Sequence, residues 1–291
     1  MKQVTKVMLV SVVINIFLAI MKVLGGFFCS SRALIADGIH SFSDLTTDFF
    51  AIIGNALSQK PADKKHPYGH GKIEYVTSIL IGFLILFVGF RVIYDSSKST
   101  ASFPSVWVCA ISLCAIILKL FLSSYIISQG KSLKNNILIA SGKESRSDVI
   151  SSFIVFLSSL LVQLSPWIPI LKYSDKIASI LVGLLIVRIG FFVVKENMSI
   201  LLGEQETDEV YLNKLKEVIL SEKGIYHIQS LILLKFGHLY KVTLTVGMDG
   251  NMKLKSAHKI VDQLEEKMKE FDSKIGYVTV HMEPIEKEMK K

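Results

Sequence analysis

Apolar residues along this chain fall into two regimes. From Lys6 to about Glu196 they form long stretches broken by short polar segments, and beyond Gly203 they recur in short alternating and helical groups among Lys and Glu. A helix needs roughly 20 predominantly apolar residues to cross the hydrocarbon core of a bilayer. Stretches of that length occupy 6–29, 33–57, 75–94, 106–128, 144–165 and 175–194. The remainder predicts a helix over 208–221, strands over 227–236 and 240–246, a helix over 255–271 and a strand over 277–283. The helical assignments rest on apolar positions three or four apart, the strands on alternation. That order suits a small α+β sandwich, with Gly247-Met248-Asp249-Gly250 read as the turn residues that end the second strand. The expected fold is an α-helical membrane protein with six transmembrane helices plus a C-terminal cytoplasmic αββαβ domain. The division is 1–203 for the membrane part and 204–291 for the water-soluble tail.

Composition agrees with this division. Of 291 residues 51% are hydrophobic, too many and too unevenly placed for one water-soluble domain. The net charge of +8 sits largely in short loops beside the apolar runs, so nucleic acid is not an expected partner. Lys60, Lys64, Lys65 and Lys72 follow the second run, and Lys131, Lys134 and Lys143 follow the fourth. Positive charge marks the cytoplasmic side of a membrane, so both termini are expected in the cytoplasm, in a multi-pass protein of the cell membrane. The first run lacks a small-residue cleavage site and reads as a span rather than a signal peptide. Cys29, Cys109 and Cys114 show no CxxC spacing, which points to neither a disulfide framework nor a thiolate metal site.

The second run is interrupted by Asp37, His40, Asp44 and Asp48. Offsets of three, four and four put all four on one helix face. Each carboxylate at mid-membrane costs on the order of 2.5 to 3.5 kcal/mol on insertion scales, so the stripe requires a cation, a proton or an aqueous path. The fifth run supplies Glu144 and Asp148, one turn apart. If the two helices pack together, His40, Asp44, Glu144 and Asp148 offer one imidazole and three carboxylates to a single ion. Such a set suits zinc, iron(II), manganese or cobalt. Asp37 and Asp48 read either as part of the ion pathway or as span-end groups that pair with nearby basic residues. Asn15, Lys22, Lys119 and Arg188 are further polar positions within spans, and the long basic side chains are expected to reach for the interface.

Two further groups are candidate ligands. Asp63, His66 and His70 lie three and four residues apart in a loop containing Pro67 and Gly69, a turn that can fold around one ion. In the tail, His227 and His281 fall in strands, His258 in a helix, and Glu283 two residues after His281 on the same strand face. No HExxH and no nucleophile beside a base in a recognisable motif occurs, so an intramembrane metalloenzyme is disfavoured. A passive cation channel with a metal-sensing tail is the other alternative, disfavoured because four dehydrating ligands suit stepwise carriage.

The motifs Ala36-Asp37-Gly38-Ile39-His40-Ser41-Phe42-Ser43-Asp44, His66-Pro67-Tyr68-Gly69-His70-Gly71-Lys72-Ile73-Glu74 and Ser145-Arg146-Ser147-Asp148 occur in that order. In them, and over essentially the whole chain, the sequence resembles the cation diffusion facilitator family of metal efflux proteins. The resemblance implies a homodimeric secondary transporter, not an enzyme, that exchanges a cytoplasmic divalent cation for protons by alternating access. No cofactor is implied beyond the transported zinc, iron(II) or manganese and a structural zinc in the tail. Carried over, the transport site is His40, Asp44, Glu144 and Asp148, and Asp63, His66 and His70 match the loop metal site. His227, His258 and His281, with Glu283, match tail positions that bind metal in some members, while Thr245 stands where a His is expected. Glu144 stands where zinc members usually have His or Asp, resembling manganese types, whereas His40 resembles zinc and iron types.

Overall fold

The computed structural model describes residues 2–58, 60–99, 103–133, 136–237 and 239–285. The long apolar runs are helical: α1 (Lys2–Phe28), α2 (Arg32–Ser58), α3 (Ile73–Ser97), α4 (Trp107–Ser132), α5 (Asn136–Ser147), α6 (Val149–Gln163) and, after a 3-10 turn at Pro169–Tyr173, α7 (Ser174–Leu201). Lys6–Phe28, Ile73–Ser97, Trp107–Ser132, Ser141–Gln163 and Pro169–Leu201 are long and apolar enough to cross a membrane. α2 matches them in length at 27 residues but carries the polar stripe. The expected fifth span is α5 and α6 in succession, with Asp148 between them. Ser151 Oγ donates back to Asp148 O at 2.9 Å, a hydroxyl bond of the kind that bends helices.

The chain falls into two compact units, Met1–Phe50 with Leu80–Val194, and Ala51–Ile79 with Lys195–Lys291. In the first, bulky apolar residues such as Phe27, Leu80, Phe87, Phe121 and Phe153 turn outward. The inward surface of α6 is instead Ser151, Ser152, Val155, Ser158, Ser159 and Val162. Lipid tails are as apolar as Leu, so helices in a membrane associate through small and hydroxyl residues that allow close approach. Gly38 and Gly142 are where this matters. A Cβ on Gly38 would stand 2.9 Å from Val23 N of α1, and one on Gly142 would stand 2.6 Å from the Ile127 side chain of α4. These contacts draw α1 onto α2 beside Asp37, and α4 onto α5 one turn and a half before Asp148.

Buried polar contacts tie the helices. Asp175, fully buried at the start of α7, accepts from Ser31 Oγ at 2.6 Å and from Arg32 N at 2.9 Å. It thereby places an anion at the N-terminus of α2, the end that favours negative charge. Deeper in the bundle, Lys22 Nζ lies 2.9 Å from Asp37 Oδ2 and donates to Ser41 Oγ at 3.1 Å and Ser152 Oγ at 2.9 Å. Ser151 and Ser152 in turn donate to Asp37 at 2.6 and 2.8 Å. Lys22 therefore does not reach for the interface as its sequence context suggested: at 2% exposure it joins α1, α2 and α6.

The second unit contains α8 (Glu209–Leu220), β1 (His227–Phe236), β2 (Leu239–Asp249), α9 (Leu254–Phe271) and β3 (Ile275–Ile285). Asp208 caps α8, its Oδ1 accepting from Val210 N and Tyr211 N. The sheet has the order β1-β2-β3, with β2 antiparallel to β1 and parallel to β3. Val242, Leu244, Val246 and Met248 alternate onto one face and pack with Leu215, Ile219, Leu264 and Met268 of the two helices. This is the expected αββαβ order with one correction. Gly247 does not end β2, which continues to Asp249 and pairs Gly247 with both His227 and Glu283. A Cβ at Gly247 would fall 2.1 Å from the His227 ring, so glycine here makes room for an imidazole rather than for a turn.

Removing one partner of a buried ion pair leaves the other charged and unpaired, at a cost of about 3–5 kcal/mol. Lys22→Ala is therefore expected to lower the thermal unfolding midpoint of the detergent-purified protein markedly. Lys22→Ala with Asp37→Ala is expected to recover part of that loss. An unchanged midpoint in the single variant would show that the pair does not hold the bundle.

Candidate metal centre

Positions 40 and 44 are one turn apart on α2, and Asp148 sits at the junction of α5 and α6. One ligand atom each from His40, Asp44 and Asp148 lie within 4.8 Å of one another. His40 is buried, with Nδ1 3.9 Å from Asp44 Oδ1. Neither His40 Nδ1 nor Asp44 Oδ2 has a hydrogen-bond partner among the described residues, although both are cut off from solvent. A buried polar atom left without a partner costs roughly 1–3 kcal/mol. Two of them in one cluster of carboxylate and imidazole groups suit a divalent cation as their shared partner.

Two other predicted residues, Glu144 and Asp37, lie outside this group. Glu144, one turn before Asp148, is exposed and lies outside the cluster. Asp37 is fully buried and engaged by Lys22, Ser151 and Ser152, one turn away from His40. The side chain of Asp48 lies outside the described residues.

Lys119 and Asn15 were not expected at the site, yet Lys119 borders the cluster and Asn15 meets Lys119. Lys119 Nζ is 3.1 Å from Asp148 Oδ2 and donates to Asn15 Oδ1 at 3.1 Å. At 5% exposure it does not extend to the interface. Depth was the available signal: twelve residues from the start of α4, at 1.5 Å per residue, put Lys119 about 18 Å along the helix, in mid-span. Ser145 Oγ is also buried without a partner among the described residues.

A second cluster, in the other unit, joins Asp63, His66 and His70 within the same 4.8 Å limit. His66 Nδ1 lies 3.2 Å from Asp63 Oδ1 and His70 Nε2 3.5 Å from Asp63 Oδ2. His70 Nδ1 is buried and has no partner among the described residues. The backbone N–H groups of His66 and Lys65 both donate to Asp63. Led by the His66 bond, they hold its carboxyl below the usual range and keep it an anion. Within its unit the loop rests on the sheet, against residues of β1 and β3 and the turn after β1. Tyr68 stands 5.3 Å from Tyr277 and 6.2 Å from Phe236, ring to ring, and Gly237 N donates to Tyr75 Oη at 2.9 Å.

The tail residues do not converge within one chain. Thr245 pairs with His281, and Gly247 with His227 and Glu283, so His227, His281 and Glu283 share the sheet face away from α8 and α9. His258 is on α9, in the helical layer, exposed and 3.0 Å from Asp262.

Comparison with known proteins identifies the family of both parts of the chain. The cation efflux transmembrane domain matches residues 8–202, and the cation efflux protein cytoplasmic domain matches residues 207–285. The uncharacterized transporter MJ0449 of Methanocaldococcus jannaschii is 29% identical over 98% of this chain and 100% of its own length. The manganese efflux system protein MneP of Bacillus subtilis is 28% identical over 96% of this chain and 95% of its own. A cadmium, cobalt and zinc/H(+)-K(+) antiporter of the same organism is 25% identical over 96% and 88%. Matched by one family model over its helical bundle and by another over its tail, the chain belongs to the cation diffusion facilitator family of divalent-metal efflux transporters.

Proposed function

We propose that the chain exports a divalent first-row metal ion from the cytoplasm in exchange for protons, with His40, Asp44 and Asp148 holding the ion in transit. The observation that carries this reading is the cluster itself, one imidazole and two carboxylates within 4.8 Å, with two buried ligand atoms that have no partner among the described residues. Among zinc, iron(II) and manganese, manganese is the first candidate. Carboxylate-rich sites suit harder ions, and MneP, a relative over nearly the whole chain, is named for manganese efflux. Zinc or cobalt is the second reading, favoured by the imidazole and by the relative named as a cadmium, cobalt and zinc antiporter.

In this mechanism the ion enters from the cytoplasm and takes the His40 Nδ1 and Asp44 Oδ2 positions, displacing protons. Rearrangement of the helices then opens the cluster to the other side, where protons compete the ion off. His40, whose imidazole can carry either a proton or the ion, is the proton-coupled ligand. Glu144 serves the approach to the site rather than the ion's inner ligand shell, and Asp37 is structural. Asp63, His66 and His70 form a second, loop-borne metal site. Residues 1–203 are the transport domain. Residues 204–291 dimerise and regulate, with any tail zinc drawing on the sheet face that carries His227, His281 and Glu283. Both termini are cytoplasmic, in the cell membrane, from the Lys-rich loops after the second and fourth spans.

Flux of manganese, iron(II), zinc and cobalt into proteoliposomes tests this reading. Manganese uptake should rise when a proton gradient of the exchanging sign is imposed and vanish in Asp44→Ala. Flux that ignores the gradient would make the protein a passive pathway, and flux that survives Asp44→Ala would remove the cluster from the mechanism. A second comparison separates the two acidic residues of the fifth span. Asp148→Asn should abolish flux, whereas Glu144→Gln should lower it by about 100-fold at most, the upper scale for a residue outside the ligand shell. Equal losses would return Glu144 to the ligands.

A further inference from the structure

We infer that Lys119 is a tethered counter-cation of the metal centre, one that occupies Asp148 when no ion is bound and yields to the divalent ion, thereby setting how tightly the ion is held. The inference rests on reading His40, Asp44 and Asp148 as the transport site. It goes beyond that reading by adding a residue that opposes the cargo.

The case begins with the contrast between two buried lysines in the same bundle. An ammonium has three N–H donors. Lys22 meets Asp37 and two hydroxyls, Ser41 and Ser152, and Asp37 is itself covered by two serines. That pair is saturated and lies outside the ligand cluster. Lys119 has one carboxylate contact, to Asp148, and one neutral acceptor, Asn15, and its carboxylate belongs to the cluster. Asn15 lies on α1 and Asp148 between α5 and α6, so the ammonium is held from two sides with one donor unmatched among the described residues.

Charge then decides what the arrangement does. Asp44 and Asp148 bring two negative charges, and Lys119 returns one positive charge. An unloaded cluster with both carboxylates ionised and no lysine would be doubly negative in an apolar bundle, a state that disfavours emptying the site. With Lys119 on Asp148 the empty cluster carries one net negative charge. When a divalent ion takes Asp148, the ammonium either stays beside it and repels it or swings back toward Asn15. In both cases loading costs more and unloading costs less than in a site without the lysine. A carrier needs a site that fills yet releases, and a built-in monovalent competitor provides this without removing a ligand.

The test is metal binding and transport by the full-length protein. Mn²⁺ is titrated calorimetrically into the detergent-purified chain, and initial uptake is measured in proteoliposomes. Lys119→Gln should tighten Mn²⁺ binding by about tenfold or more, the scale of removing one unit charge from a partly buried site. Its KM and maximal rate should both fall, because release slows. Lys119→Arg keeps the charge and should leave binding as weak as in the wild type, or weaker. A lysine that served packing alone would not tighten binding on removal. The double variant Lys119→Gln/Asp148→Asn is the second arm, should Lys119→Gln alone fail to fold. It removes both charges together and should bind Mn²⁺ better than Asp148→Asn, in which the ammonium faces the cluster unpaired. Unchanged or weaker binding by folded Lys119→Gln, or a double variant no better than Asp148→Asn, overturns the inference. Asp44→Asn separates its failure from that of the site. If Asp44→Asn binds Mn²⁺ like the wild type, the transport site itself is wrong. If Asp44→Asn loses binding while both lysine arms are flat, only the role of Lys119 falls.

Discussion

Carboxylates in an apolar helical bundle have to be neutralised where they stand, and this bundle is arranged around how that is done. Water is not there to solvate them, so each needs a cation, a proton or a set of donors. Asp175 is met by a hydroxyl and a backbone N–H at the start of α2. Asp37 receives an ammonium and two hydroxyls. Among the described residues, Asp148 receives an ammonium and Asp44 keeps one buried oxygen without a partner. The difference in coverage sorts the acidic residues into those that hold helices together and those left available to an ion. Once a buried group is fully satisfied, releasing it is expensive, so the residues that trade partners are the ones the fold under-serves.

Helix packing has to be close enough to make these contacts, and the small residues explain how. Gly38 lets α1 lie against α2 so that Lys22 reaches Asp37, and Gly142 lets α4 lie against α5, the approach that also carries Lys119 to Asp148. The serines of α6 serve twice, as small packing residues and as donors. The apolar bulk is turned outward, where a bilayer would accept it. The C-terminal unit follows the opposite logic, with its large apolar residues enclosed between the sheet and two helices, as water requires. Its other sheet face carries Thr245, His227, His281 and Glu283 beside Ile232 and Leu234.

Much of this was legible beforehand. Apolar run length located the long helices, though α5 begins eight residues before the expected fifth run and α7 ends seven after the sixth, and alternation located the strands. The three and four residue offsets of His40 and Asp44, and of Asp63, His66 and His70, anticipated which groups could share a face or a turn. Other residues were read differently, each for a physical reason. Lys22 and Lys119 resemble interface-seeking side chains when only their type is considered, because the carboxylates that hold them are far away in sequence. Glu144 and Asp148 are equivalent by periodicity, yet only one enters the cluster, since the end of α5 leaves Glu144 exposed. Gly247 carries a turn signal, but the imbalance it answers is a bulky His227 on the neighbouring strand.

What the sequence by itself determined about this protein is local: which segments are apolar enough for lipid, which alternate, and which ionisable groups lie one turn apart. Those properties follow from residue type and spacing, because helix and strand periods are fixed by the backbone. Only the tertiary structure decided which charge meets which. Lys22 with Asp37, and Lys119 with Asp148, are pairings across 15 and 29 positions of chain, and they depend on helices brought together by small residues far from either partner. Coulomb attraction in a low-dielectric interior is strong only at contact distance, so it acts after packing has chosen the neighbours, and no spacing along the chain foretells that choice.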